Sequence, residues 1–245
     1  MRHILDRWQC TTLLVAWLAS TVANANVVIA NTRAIFPSDQ SEITVKLSND
    51  GATASLVQAW VDDGRPQAQI EDLQVPFSVM PVLFRLDPGK GQSLRLFHTG
   101  EALPADRESL YWLNVLDVPP KGSGNRLQIA LRSRIKLLYR PTGLPGDAAR
   151  AHRALTWQLE RDGDAWVLIA RNPGPYVVNL ASLSLRQPGL AAIDLQPDHV
   201  LPFASTRFHV EGLQGIALPR LQYAFIDDYG AVRESPEAVD VPIPH

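Results

Sequence analysis

Residues Asn125 to Pro141, NRLQIALRSRIKLLYRP, decide how the rest of the chain is read. The alternation predicts one β-strand of about fourteen residues, roughly 46 Å at ~3.3 Å per residue, against ~5–6 residues for an ordinary strand. Odd positions carry Leu127, Ile129, Leu131, Ser133, Ile135, Leu137 and Tyr139. Even positions carry Gln128, Ala130, Arg132, Arg134, Lys136, Leu138 and Arg140. One face is therefore apolar and the other mostly basic. A strand this long overruns a sandwich sheet. Any part at an edge sets apolar side chains beside unpaired backbone groups, which most proteins avoid.

Working outward, the same short-period signal repeats on both sides. Alternating or β-branched runs lie at Val27–Ile35, Glu42–Leu47, Ser55–Val61, Leu83–Leu86, Ser93–His98 and Ser109–Val115. Turn signals separate them at Asn49-Asp50-Gly51, Asp62-Asp63-Gly64, Pro88-Gly89 and Pro119-Pro120. After the long strand, Pro141 to Gly146 (PTGLPG) breaks the pattern and reads as a linker. Runs then resume at Ala154–Glu160, Ala165–Ala170, Val177–Arg186, Thr206–Val210, Leu221–Ile226 and Val239–Ile243, with turns at Asp162-Gly163 and Asp228-Tyr229-Gly230. About seven strands per half at ~8–12-residue spacing predict an all-β protein of two antiparallel sandwiches. The expected division is a leader over 1–25, a first domain over 26–142 and a second over 143–245.

The leader is read from Arg2 and Arg7, the apolar run Thr12–Ala23, and Ala23-Asn24-Ala25 as an A-x-A cleavage site. The run is too short to span a bilayer, so no membrane insertion is expected and the mature chain starts near Asn26. Cys10, the only cysteine, lies in the leader beside Trp8-Gln9, which does not match a lipid-attachment site. The mature chain then carries no disulfide and depends on burial. A formal charge of −2 and a pI near 6.3 argue against nucleic acid as a partner, so the basic face of the long strand calls for a local explanation.

Catalytic and cofactor signatures are missing. No G-x-S-x-G, H-E-x-x-H or G-x-x-x-x-G-K-[ST] occurs, and Gly89–Ser93 (GKGQS) reads as a hairpin turn. His98, His152, His199, His209 and His245 show no metal-ligand spacing. Asp227 and Asp228 are neighbours that point apart on a strand, which does not suit a carboxylate pair. Neither an enzyme nor a cofactor or metal site is expected. Trp60, Trp112, Trp157 and Trp166 fall at positions suited to sandwich cores.

Five stretches together carry a resemblance. They are Asn31–Pro37 (NTRAIFP), Leu83–Gln92 (LFRLDPGKGQ), Leu103–Val115 (LPADRESLYWLNV) running into Pro119-Pro120, Arg134–Pro141 (RIKLLYRP), and Asp228-Tyr229-Gly230. In order and spacing, across nearly the whole mature chain, they resemble the periplasmic chaperones of chaperone–usher pilus assembly. The resemblance implies two immunoglobulin-like β-sandwich domains in a boomerang arrangement with an interdomain cleft. It implies a non-enzymatic chaperone that binds, folds and caps pilin subunits and delivers them to an outer-membrane usher. The subunit would be held by a donated β-strand and by an anchor for its C-terminal carboxylate. By motif, Arg33 and Lys136 are the implied anchors, and Leu127, Ile129 and Leu131 the donor-strand side chains. Glu108, Arg140 and Asp228 are the implied charged trio that fixes the interdomain angle. The short Pro119–Asn125 loop resembles the branch of the family associated with rod-like pili.

Two questions stay open at the level of sequence. Lys136 has the opposite parity to the three donor side chains, so either it points off the other face into the cleft or a bulge resets the alternation. The free protein could also cover its apolar edge by a self-capping dimer. The rival function is an exported two-domain immunoglobulin-like adhesin or ligand-binding module, which would need a binding surface in its loops. A carbohydrate-active enzyme is a more distant rival.

Overall fold

Two sandwiches, each closed around its own core, follow one another along the chain. The structure, a computed structural model, describes residues 27–121, 128–213, 219–236 and 238–242. The leader with its cleavage site, Leu127 and His245 lie outside the described residues.

The first half contains β1 (Val27–Ile29), β2 (Arg33–Pro37), β3 (Glu42–Asn49), β4 (Ser55–Asp62), β5 (Phe77–Met80), β6 (Leu83–Leu86), β7 (Gly91–His98), β8 (Ser109–Val118) and β9 (Leu131–Arg140). One sheet runs β1-β3-β7-β5 and the other β2-β9-β8-β4-β6. The run Val27–Ile35 is thus two strands: the chain leaves the first sheet after Ile29 and joins the second at Arg33. A single edge segment serves both sheets. Period-two alternation fills the space between them, with Val45, Leu47, Val57, Ala59, Val61, Leu94, Leu96, Leu113 and Leu137 buried. Strand β5, bracketed by Pro76 and Pro81, carried no run long enough to read from sequence.

The second half contains β10 (Thr156–Asp162), β11 (Ala165–Arg171), β12 (Val178–Arg186), β13 (Ile193–Leu195), β14 (His199–Val200), β15 (Ser205–Val210), β16 (Arg220–Ile226), β17 (Val232–Glu234) and β18 (Val239–Asp240). Its sheets run β10-β11-β15 and β13-β12-β16-β17, with β14 on β12 and β18 on β16. Trp157, Leu159, Leu168, Leu183, Phe208 and Leu221 lie in its core. Strand β10 starts at Thr156 rather than Ala154. Ala148–Ala154 forms a 3₁₀ segment instead, capped by Asp147, whose side chain accepts the Ala149 N–H at 2.9 Å.

The long strand is shorter than its alternation suggests. It begins at Leu131, and Gln128–Ala130 belong to no strand. The cause lies in its neighbours. β8 pairs with β9 from Asp117↔Leu131 to Ser109↔Tyr139, and then Pro119-Pro120, which lack N–H donors, follow the end of β8. On the other side β2 pairs in parallel only from Arg33↔Lys136 to Pro37↔Arg140. Residues 131–135 are therefore an edge, and Gln128–Ala130 just before them pair with no strand among the described residues.

Candidate functional site

The uncovered edge carries the apolar side chains that core packing would have hidden. Ile129 is 70% exposed and Leu131 42% exposed, whereas Leu137, six residues beyond Leu131 on the same face, is fully buried. A core role for Ile129 is therefore ruled out. From Leu131 to Tyr139 the β8–β9 register runs without a shift, so no bulge intervenes between Leu131 and Lys136 and strict alternation holds there. Ile135, Leu137 and Tyr139 pack on the first core. Lys136 points off the opposite face, toward the second sandwich, which resolves its parity.

At the base of that face, two cations stand side by side on neighbouring strands. Arg33 and Lys136 are register partners in the parallel β2–β9 pair, so their side chains leave the sheet together. Arg33 is 7% exposed; its Nη1 donates to the Ile226 carbonyl at 3.2 Å, and its Nε is buried without a partner among the described residues. Lys136 Nζ donates to Asn179 Oδ1 at 2.6 Å. Burial pulls the Arg33 guanidinium below its usual value, with Asp228 and Asp227 opposing. Burial, and the like charge of Arg33, bring Lys136 down to about 8, with Asp198 opposing. Among the described residues neither cation has a carboxylate within ion-pair distance. Such a pair is chemically a receptor for a small anion offering charge-assisted acceptors.

The predicted trio does come together. Arg140 Nε donates to Glu108 Oε1 at 2.5 Å, while Nη1 and Nη2 donate to Asp228 Oδ2 and Oδ1 at 2.7 and 3.0 Å. Glu108 is buried and spends its second oxygen on the Val177 N–H at 2.7 Å. Burial opposes the charge on Arg140, but the Asp228 and Glu108 carboxylates outweigh it and hold the guanidinium above its ordinary pKa. These bonds join the residue just before β8, the end of β9 and the turn after β16 across the domain boundary. Asp227 does different work within that turn, accepting the Tyr229 and Ala231 N–H groups at 3.0 and 2.9 Å.

Some residues at the cleft were not identified from the sequence. Asn179, the second residue of β12, meets Lys136; His199 opens β14, bonds Asp198 at 2.6 Å, and packs edge-on against Trp112 at 5.8 Å. His199 is held below its ordinary pKa by burial and by Lys136, with Asp198 opposing. Nothing local in the sequence marks a residue whose role depends on the other domain. Trp60 and Trp112 correct an expectation: both sit on the outer face of the first sandwich, not in its core. Their parity, opposite to Val57, Ala59 and Val61 and to Leu113 and Val115, carried that information. Trp157 is in the second core and Trp166 packs against it. Among the described residues no group of three or more His, Cys, Asp or Glu could hold a metal ion.

Two sandwiches bridged by an ion trio, with a bare strand edge leading to a cationic cleft, define a two-domain assembly chaperone. Residues 26–145 match the family described as pili and flagellar-assembly chaperone, PapD N-terminal domain, and residues 150–237 match the pili assembly chaperone PapD, C-terminal domain. The chain belongs to this pilus-assembly chaperone family, whose members are non-enzymatic folding and capping proteins. It is 42% identical over 242 residues to the chaperone protein FimB/FhaD of Bordetella pertussis, covering 93% of this chain and 96% of that one. It is 37% identical to the probable fimbrial chaperone YadV of Escherichia coli K12, covering 92% and 94%. The crystal structure of the YadV chaperone superposes with a TM-score of 0.76 over 88% of this chain and 100% of that chain. A Salmonella enterica structure of the SafA pilin in complex with the SafB chaperone matches at 27% identity, with a TM-score of 0.72 over 90% and 99%.

Proposed function

We propose that this chain works in the periplasm, captures pilin subunits by lending them the edge of β9, and passes them to an outer-membrane usher. One observation carries the reading: exposed Ile129 and the half-paired edge Leu131–Ile135 run directly into the Arg33–Lys136 pair, two cations with no ion-paired carboxylate among the described residues. A subunit lacking one strand would complete its sheet on the free backbone of β9. Its C-terminal carboxylate would end at Arg33 and Lys136, and that fixed end would set the register. Leu127, Ile129 and Leu131 would fill the subunit's groove. Three such side chains at ~1.5–3 kcal/mol each give roughly 5–9 kcal/mol gross, before the costs of association. Backbone pairing adds affinity with little sequence preference, which suits a protein serving several related subunits. Glu108, Arg140 and Asp228 would hold the domain angle at which edge and cleft line up. The domain division we propose keeps the leader at 1–25 and the break at 142–143, inside the Pro141–Gly146 linker and three residues before the first family match ends at 145. No helix among the described residues is long and apolar enough to cross a membrane.

The test is co-purification of a co-expressed pilin from periplasm with tagged chaperone. Arg33→Ala and Lys136→Ala should stay folded and lose the pilin; undiminished recovery by both would sink the anchor assignment. The adhesin or ligand-binding alternative is not favoured, since the relatives over most of the chain are named as fimbrial chaperones.

A further inference from the structure

On the outward face of the β9 edge, two arginines are tied to a carboxylate that water does not reach. Asp62, the last residue of β4, is fully buried. Its Oδ2 and Oδ1 take Nε and Nη2 of Arg134 at 2.9 and 2.5 Å, and the same two oxygens accept Asn114 Nδ2 and the Gly64 N–H, each at 2.8 Å. Arg132 Nε and Nη2 reach Asn114 Oδ1 at 2.9 and 2.7 Å, and its Nη1 donates to the Pro66 carbonyl at 2.6 Å. Each guanidinium also covers an indole, Arg132 over Trp60 at 4.9 Å and Arg134 over Trp112 at 4.4 Å. The register explains the geometry. Asn114 lies opposite both Trp60 and Arg134, and Trp112 opposite both Asp62 and Lys136. Each arginine therefore leans one row toward the cleft and ties β9 through β8 to β4.

We propose that this ladder, with Asp62 as its hub and Arg132 and Arg134 as its rungs, is a positioning device that holds the edge Leu131–Ile135 extended before a client arrives. The inference rests on the strand-lending reading above. An edge strand bonded on one side must otherwise be ordered at the moment of pairing, and that ordering is subtracted from affinity. The ladder pre-organises the strand using charge-assisted bonds, which are stronger than neutral ones. Its extent matches the strand. The first rung, Arg132, is next to the first strand residue, Leu131, and Gln128–Ala130, which precede the rungs, are not strand. Burial works against charge on Asp62, but the bonds from Arg134, Asn114 and Gly64 outweigh it and keep the carboxyl below its ordinary pKa. Asp62 and Asn114 stand on β4 and β8, and the side chains of Arg132 and Arg134 leave β9 on the face opposite Leu131, so the ladder acts by holding the backbone of β9.

The test combines amide hydrogen exchange in the free protein with recovery of a co-expressed pilin that the wild type retains. The variants are Arg132→Gln, Arg134→Gln and Asp62→Asn, with Arg134→Lys as the conservative control that keeps charge but loses the fork. The expected result is that amides of residues 131–135 exchange about tenfold faster while those of β3 and β7 are unchanged, and pilin recovery falls by about tenfold. Arg134→Lys should restore part of both. Should exchange at 131–135 rise no more than in β3 and β7, the residues would be merely structural and the proposal overturned. Full pilin recovery by the ladder variants, alongside loss in the Arg33→Ala and Lys136→Ala variants, would overturn the ladder and leave the strand-lending reading standing. Full recovery by the anchor variants would instead count against that reading, and the exchange arm would still judge the ladder.

Discussion

Lys136 is costly where it stands. It sits in a partly closed cleft beside a second cation, and its single described hydrogen bond goes to a neutral amide. Removing that cost should stabilise the free protein. Lys136→Met is expected to add about 1–2 kcal/mol at pH 7, a rise of a few degrees in the thermal transition, while abolishing pilin retention. A residue kept only for stability would behave in the opposite way. The pH dependence has two signs. Lys136 falls to about 8 in the folded chain from an ordinary 10.5, so between these values the unfolded state binds more protons and stability should rise with pH. Capture should do the reverse. A client carboxylate favours the charged amine, so affinity should be flat below about 8 and fall by up to tenfold per pH unit above it. Denaturant midpoints and pilin binding, both measured from pH 7 to 10, check the pair of trends. Arg33 and Lys136 were legible in the sequence only through the family motif. Asn179 and His199 were not legible at all, because their relation to Lys136 exists only once the second domain has folded against the first.

At the scale of the element, strict alternation in β9 correctly placed Leu137 and Tyr139 toward the core and Lys136 away from it. It overstated the strand, because alternation describes faces and not neighbours. Where β9 begins is decided by Pro119-Pro120 at the end of β8 and by the short reach of β2, both distant in sequence. Exposure at Ile129 follows directly. Ile129→Asp should therefore leave the thermal transition unchanged within about 0.5 kcal/mol and sharply reduce pilin recovery. Leu137→Asp, on the same face but in the core, should unfold the first domain. Equal destabilisation by the two variants would return Ile129 to the core. The placement of Trp60 and Trp112 was readable from parity, but their cover of arginines was not, since each guanidinium reaches a residue one row away on another strand.

For the whole molecule, specific polar bonds cross between the sandwiches. Arg140 joins Glu108 to Asp228, and the backbone of Glu108 donates to the Pro175 carbonyl at 2.8 Å. Arg140→Ala leaves Glu108 buried without its cation, so a loss of about 2–4 kcal/mol is expected, with a wider range of interdomain angles in small-angle scattering. Gly230 is a second constraint. Its φ is +85°, and a Cβ there would stand 2.2 Å from Thr32 Oγ1 in the other domain. Gly230→Ala should open the angle, and adding Thr32→Ala should close it again in part; scattering profiles identical to wild type would show that this contact sets nothing. The two-sandwich architecture was legible from strand and turn spacing, because that spacing survives even where single strands such as Val27–Ile35 and Ala154–Glu160 were misplaced. The ion trio needed the family motif, since Glu108, Arg140 and Asp228 are far apart along the chain.

Strand lending itself has a direct measurement, because the chain's only cysteine, Cys10, lies in the predicted leader. A single cysteine at position 129, introduced as Ile129→Cys, reports burial of that side chain through its reaction rate with a thiol reagent. Val28→Cys, at a site 39% exposed on the other sheet, serves as the control. The account predicts that binding a pilin slows reaction at position 129 by about tenfold or more and leaves position 28 unchanged. A purified chaperone–pilin complex in which position 129 reacts as fast as in the free protein would contradict it.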